Sequence, residues 1–249
     1  MERVSLVTGA SHGIGRATAL RFASAGDRVF ACGRDVDALR QLCVDAGADA
    51  VVQTLVFDVA CATDVTRALD RVERLDVLVA SAGICRTATM DAPDSATIWR
   101  SVLDTNLSGV YYTIAAALPK FNDGGRIVLV SSGLGKLGRA GYEAYCASKH
   151  GVLGLMRCLS RELAPRRITV NAVCPGWVAT RMAHADIGSK AERESLAAPE
   201  VYERVIADIA IGRMVAADEV AALIQFIASS DAEALTGEAF NISGGEFFA

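Results

Sequence analysis

Runs of aliphatic and β-branched residues recur along the chain at 4–7, 28–31, 51–57, 76–80, 126–131, 168–173 and 239–242. They are apolar almost throughout rather than at alternate positions, which is the pattern of strands covered on both faces. Between them apolar residues recur at helical spacing, as in Ile98, Val102, Leu103, Leu107, Val110 and Ile114, which fall on one helix face. Alternating strands and helices imply right-handed crossovers and a parallel sheet flanked by helices. The pattern therefore predicts a doubly wound α/β fold of the Rossmann type. No linker, repeat or low-complexity tract divides it, so residues 1–249 read as a single domain. The rhythm breaks between about residues 179 and 211, where Gly188, Ser189 and Pro199 among charged residues should interrupt any long helix. Such an insertion is expected to be a mobile lid that selects substrate, with Trp177 and Met182 at its base.

Composition narrows the class. With 52% hydrophobic and 22% charged residues, the chain buries too much apolar surface for a disordered protein. A net charge of −4 without a Lys/Arg stripe excludes a nucleic-acid backbone binder. No apolar run approaches the roughly 20 residues of a membrane span. Met1-Glu2-Arg3-Val4 enters a strand-like run without a secretory apolar region, so a cytoplasmic location is expected. Seven cysteines, an odd number lacking any Cys-x-x-Cys pair, read as buried free thiols, and no metal site is expected.

The first strand runs into Thr8-Gly9-Ala10-Ser11-His12-Gly13-Ile14-Gly15 and then a helix-like stretch. Glycines at 9, 13 and 15 let the backbone turn tightly and approach a pyrophosphate, whose charge the helix N-terminus favours. Strand, glycine turn and helix in that order are the context this motif requires. The same residues spell a G-x-S-x-G nucleophile elbow, Gly9-Ala10-Ser11-His12-Gly13. A hydrolase would place several strands before that turn, and here it follows the first, so the dinucleotide reading is preferred.

The end of the second strand, Ala31-Cys32-Gly33-Arg34-Asp35, is where a ribose would lie. Gly33 stands where an NAD-selecting carboxylate is expected and Arg34 is next, which favours NADP(H). Asp35 could reach the ribose, leaving NAD(H) open, or could cap the next helix.

Further along, Tyr145 and Lys149 lie four residues apart and so one turn apart on one helix face. A phenol with a pKa of about 10 is a poor acid–base group at neutrality, and a neighbouring ammonium favours its ionised form. Ser132, at the end of the strand 126–131, lies at the carboxyl edge where such sheets bind ligands and could face Tyr145.

These motifs, together with Asp58-Val59, Ala82-Gly83, Asn106, and Pro175-Gly176 with Thr180, make the chain resemble the short-chain dehydrogenase/reductase family in its single-domain branch, nearly end to end. The resemblance implies that Tyr145 is the proton donor and acceptor, that Lys149 lowers its pKa and bonds the nicotinamide ribose, and that Ser132 holds the substrate oxygen. It implies that Asn106 anchors a water linking Lys149 to solvent, although an Asn in an apolar helix also reads as a structural hydrogen-bonding residue. Cofactor contacts are implied for Gly9, Ser11, His12, Gly13, Ile14, Gly15, Arg34, Asp58, Val59, Ser81, Ala82, Gly83, Tyr145, Lys149, Pro175, Gly176, Val178 and Thr180. Ser81 departs from the family's usual Asn, and a sheet-bracing contact is expected to be weaker there.

Ser148 to Gly154 and Val170 to Trp177 are similar to ketoreductases acting on 3-oxoacyl or polyketide thioesters. The expected substrate is thus a ketone or secondary alcohol, carried on coenzyme A or an acyl carrier protein whose phosphate Arg86, Lys136 or Arg139 would meet. The alternatives are an NAD-dependent secondary alcohol or hydroxyacyl-CoA dehydrogenase, and a non-catalytic binding protein, disfavoured because all four catalytic positions are filled. The resemblance implies a homotetramer, and Tyr111, Ile114, Leu118, Leu153, Leu159 and Leu163 read as apolar surface beyond what one sheet can cover.

Overall fold

In the computed structural model, which describes residues 2–249, the apolar runs become seven parallel strands. They are β1 (Val4–Thr8), β2 (Arg28–Gly33), β3 (Val52–Val56), β4 (Leu75–Ala80), β5 (Phe121–Val130), β6 (Thr169–Pro175) and β7 (Ala239–Ile242), in the order β3-β2-β1-β4-β5-β6-β7. Successive residues point to opposite faces, so Leu6 and Leu78 join one apolar layer while Val7 and Val79 join the other. The two edge strands are the exceptions to the covered pattern: of β3 only Leu55 is buried, and of β7 no residue is fully buried.

Helices α1 (Gly13–Ser24), α2 (Val36–Ala46) and α9 (Ala217–Ile227) cover one face through Phe22, Leu39, Leu42 and Ile224. Helices α3 (Ala62–Leu69), α5 (Gly109–Ala117) and α6 (Glu143–Glu162) cover the other through Leu69, Ile114, Val152 and Met156. The chain reverses direction across the sheet between β1 and β4, so the segments leaving these strands diverge and open a crevice at the carboxyl edge.

Helix α4 (Ser95–Leu103) runs into α5 through one widened turn, residues Asp104–Ser108, in which the Gly109 N–H bonds the Asp104 carbonyl five residues back. The extra residue rotates the apolar face, so Val102, Val110 and Ile114 are buried while Ile98, Leu103 and Leu107 are only partly so. The same widening turns the polar Asn106 fully inward.

Two expectations are corrected here. Gly188 and Ser189 do not interrupt a helix but lie inside α7 (Arg181–Glu194). The break comes at Ser195, whose φ of 53° ends α7, and Pro199 sits in the first turn of α8 (Ala198–Ala207), where its missing N–H costs nothing. These two helices bury a small core of their own, Ala183, Ile187, Ala191, Val201, Val205 and Ile209, which offsets the glycine's poor helix propensity. Nor are all six apolar residues assigned to a subunit surface spare. Ile114, Leu153 and Leu163 are buried in the chain's own core, Leu118 and Leu159 pack partly against it, and Tyr111 is the one that remains exposed.

Candidate active site

Two backbone positions make the crevice. Gly9 and Gly13 have φ of 69° and 54°, which side-chain-bearing residues rarely adopt. A Cβ on Gly9 would lie 2.8 Å from the Ala82 backbone, and one on Gly15 would lie 2.3 Å from the Gly9 carbonyl oxygen. The turn is therefore folded as tightly as backbone permits. Thr8 Oγ1 accepts the N–H groups of Ser81 (3.1 Å) and Ala82 (3.2 Å), joining the ends of β1 and β4. The join uses the Ser81 backbone and not its side chain.

Within the turn, the Ser11 hydroxyl is buried without a hydrogen-bond partner, 2.4 Å from where a Cβ on Gly33 would stand. A buried polar atom left unpaired costs about 1–3 kcal/mol, and a hydrogen-bonding ligand in this cradle would recover it. That fits a dinucleotide. Ile14 and Gly15 lie in the first turn of α1, His12 precedes it in an extended conformation without a side-chain capping bond, and Thr180 Cγ2 approaches the turn to 3.1 Å from a Cβ built on Gly13.

At the outer end, Asp35 accepts the Ala38 N–H at 3.1 Å and so caps α2, the second of its two expected roles. Arg34 is 63% exposed and its guanidinium is 3.2 Å from Asp58. Asp58 also accepts the Ala60 N–H, while Val59 is packed against Gly109. On the far side, Gly176 donates its N–H to the Ile242 carbonyl, and Val178 pairs with Val215.

Ser132, Tyr145, Lys149 and Asn106 converge although three different parts of the chain carry them, the turn after β5, helix α6 and the widened turn between α4 and α5. The Ser132 hydroxyl lies near the Tyr145 phenol and accepts the Leu134 N–H. Burial pushes that phenol above the usual tyrosine range and the nearby Cys85 adds to the rise, while the neighbouring Ser132 hydroxyl opposes it. Lys149 Nζ lies 5.6 Å from the Tyr145 ring centre and donates to the Val130 carbonyl at 2.8 Å. Burial lowers it to about 8. Here burial, rather than attraction to the ammonium, governs the phenol.

Asn106 bonds both backbone groups of Ile84, at 2.8 and 2.9 Å, and its amide reaches Ser148 Oγ at 3.2 Å. Ser148 in turn donates to the Tyr145 carbonyl. Both amide N–H donors and one Oδ1 lone pair of Asn106 are thus used in structural bonds that fix the wall behind Gly83, where its Oδ1 is 3.3 Å and Lys149 Nζ 3.5 Å from a Cβ built on that glycine.

Several residues that line or brace the site lie outside the sequence motifs. Tyr142 donates to Asp186 of α7 at 2.8 Å, and the Arg139 guanidinium lies over the Tyr142 and Trp177 rings. Burial holds the Asp186 carboxyl above its ordinary range. Arg193 of α7 bonds the Thr87 hydroxyl. Helix α7 is therefore tied to the loops that border the site. Pairs such as Tyr142 and Asp186 are 44 residues apart and carry no spacing signal. Of the three cations expected to await a phosphate, two are engaged internally. Lys136 bonds Asn241 and Arg139 pairs with Glu246, whereas Arg86 has no hydrogen bond or ion pair among the described residues. Arg86 lies on a groove of about 250 Å³ with Ala88, Met90, Ile98, Trp99 and Ala144, beside the Tyr145 helix end.

The sequence model of the short chain dehydrogenase family matches residues 3–190. A Streptomyces virginiae protein named for the ketoacyl reductase of monensin polyketide synthase is 41% identical over 98% of this chain and 97% of its own. The acetoacetyl-CoA reductase of Shinella zoogloeoides is 35% identical over 100% of both chains. Among solved structures, an actinorhodin polyketide ketoreductase variant with NADPH superimposes with a TM-score of 0.88 at 36% identity, covering 98% of this chain and 97% of that one. With its fold, its glycine turn and this family match in agreement, the chain belongs to the short-chain dehydrogenase/reductase family.

Proposed function

We propose that the protein is an NADP(H)-dependent ketoreductase that interconverts a ketone and a secondary alcohol on a 3-oxoacyl or polyketide-type thioester. The observation that carries this reading is the convergence of Ser132, Tyr145 and Lys149 beside a glycine cradle whose Ser11 hydroxyl is buried and unpartnered. The relatives named as ketoacyl and acetoacetyl-CoA reductases, and the neighbour containing NADPH, support the substrate class and the cofactor.

Gly9, Ser11, His12, Gly13, Ile14 and Gly15 would hold the diphosphate, and Asp58, Val59, Ser81, Ala82 and Gly83 the adenosine side. Pro175, Gly176, Val178 and Thr180 would close over the nicotinamide, which when bound supplies or accepts the hydride. Ser132 Oγ donates a hydrogen bond to the carbonyl oxygen and holds it beside the phenol. Tyr145 gives its proton to that oxygen as negative charge develops on it. Burial keeps the phenol protonated until then. Lys149 would bond the ribose of a bound nucleotide and, as a cation below about pH 8, stabilises the phenolate left behind. Asn106 orders the Ile84 backbone and Ser148, and a water it holds would return a proton through Lys149.

Arg34 lies at the ribose end of the cradle, exposed and able to turn from Asp58 toward a 2′-phosphate. Asp35, the group an NAD-dependent dehydrogenase would need there, is occupied as a helix cap. Segment 179–211 is the substrate lid, supported by its Tyr142–Asp186 tie. We further propose a cytoplasmic homotetramer, with the exposed Tyr111 on α5 and the partly buried Leu159 on α6 as candidate contact faces.

Tyr145→Phe should lower kcat by about a hundredfold to ten-thousandfold, the usual worth of a positioned acid, with NADPH affinity unchanged. Steady-state assays at saturating cofactor test it, and near-normal turnover refutes the assignment. Arg34→Ala should weaken NADPH binding about tenfold or more while sparing NADH, as measured by fluorescence titration of each. Equal losses would remove Arg34 from the phosphate site. If Arg86 meets the carrier's phosphate, Arg86→Glu should raise KM for acetoacetyl-CoA by about tenfold and leave KM for a small ketone lacking the carrier unchanged. A parallel rise for both would assign Arg86 no carrier contact. Light scattering at micromolar concentration should report four subunits, and a stable monomer would contradict the proposed assembly.

A further inference from the structure

After β7 the chain returns to the carboxyl edge and meets three walls of the site at once. Gly244 and Gly245, with φ of 64° and 84°, turn it back. A Cβ on Gly245 would lie 2.6 Å from Ala210, and the Gly244 carbonyl accepts the Ile211 N–H at 3.1 Å, so this turn abuts the base of the lid. Glu246, next along, accepts the Trp177 N–H at 3.2 Å through one carboxylate oxygen and lies 3.4 Å from Arg139 through the other. It thereby bridges the loops leaving β5 and β6. Phe247 is 9% exposed and its ring lies on Gly133, where a Cβ would stand 2.2 Å from it. Gly133 immediately follows Ser132, whose hydroxyl is fixed by the Leu134 N–H of the same turn. Lys136 ends this turn, donating to the Ala239 carbonyl, Asn241 and the Ala249 carbonyl at 3.0, 2.7 and 2.9 Å.

We infer that residues 244–249 are a positioning element, in which the Phe247 ring presses the turn at Gly133 and so sets the Ser132 hydroxyl against the substrate carbonyl. The inference rests on the reading of Ser132 as the hydroxyl that holds the carbonyl oxygen. Phe247 has no place in the glycine cradle, so its action is on kcat and not on the nucleotide. Gly133 is glycine because only a position without a side chain admits the ring this close.

The test is a double-mutant cycle on the NADPH-loaded enzyme. Phe247→Ala should lower kcat by about ten- to a hundredfold, the scale set by misplacing a reacting group by about 1 Å, with the NADPH Kd unchanged. Phe247→Leu, which keeps an apolar side chain on Gly133, should recover most of the rate. In a Ser132→Ala background, Phe247→Ala should cost almost nothing more, because the hydroxyl it positions is gone. Multiplicative losses in the double variant, or a loss of NADPH affinity matching the loss of kcat, would reduce Phe247 to general structural support and overturn the inference. Unchanged kcat in Ser132→Ala alone would refute the reading of Ser132 itself, an outcome visible before the cycle is closed. If Phe247→Ala does not fold, the cycle is run with Phe247→Val under the same criteria.

Discussion

The Thr8 hydroxyl accepts two backbone N–H groups from the opposite side of the crevice, and every functional group at the carboxyl edge is placed relative to that join. It holds β1 and β4 together where their following segments must part. Gly9, pressed against the Ala82 backbone, has no room for a side chain there. The glycine turn and the wall at residues 81–83 are thus two faces of one cleft. Ser81 participates through its main chain, so the departure from the family's usual Asn leaves this contact intact.

Low dielectric is the second constraint. Burial raises the Tyr145 phenol and lowers Lys149 to about 8, so both are biased toward their neutral forms. Nearby dipoles temper this bias. The Ser132 hydroxyl acts on the phenol, and the Val130 carbonyl accepts from Lys149. A proton can move in such a site because neither group is held irreversibly in one form. The adjacent Cys85 thiol, raised to about 12 chiefly by burial, stays neutral and adds no competing charge.

The walls of the substrate cleft are built from polar and aromatic contacts between distant segments. Tyr142 and Asp186 tie α7 to the start of α6, and the Arg139 guanidinium lies over the Tyr142 and Trp177 rings while pairing with Glu246.

Sequence periodicity and the order of short motifs determined the doubly wound architecture, the glycine turn, and the Ser132, Tyr145 and Lys149 set, because each is encoded by residues near one another in the chain. Buried strands must be apolar throughout, and a one-turn spacing must bring Tyr145 and Lys149 to one face. Where local cues were read alone they misled. Gly188 sits within a helix because its neighbours bury a small core, and Lys136 and Arg139 are held by partners more than a hundred residues away. Tertiary structure alone decided that Asn106 bonds Ile84 through an inward-facing widened turn. It alone laid Phe247 on Gly133. These outcomes depend on which segments the sheet order brings together, and no spacing along the chain records that.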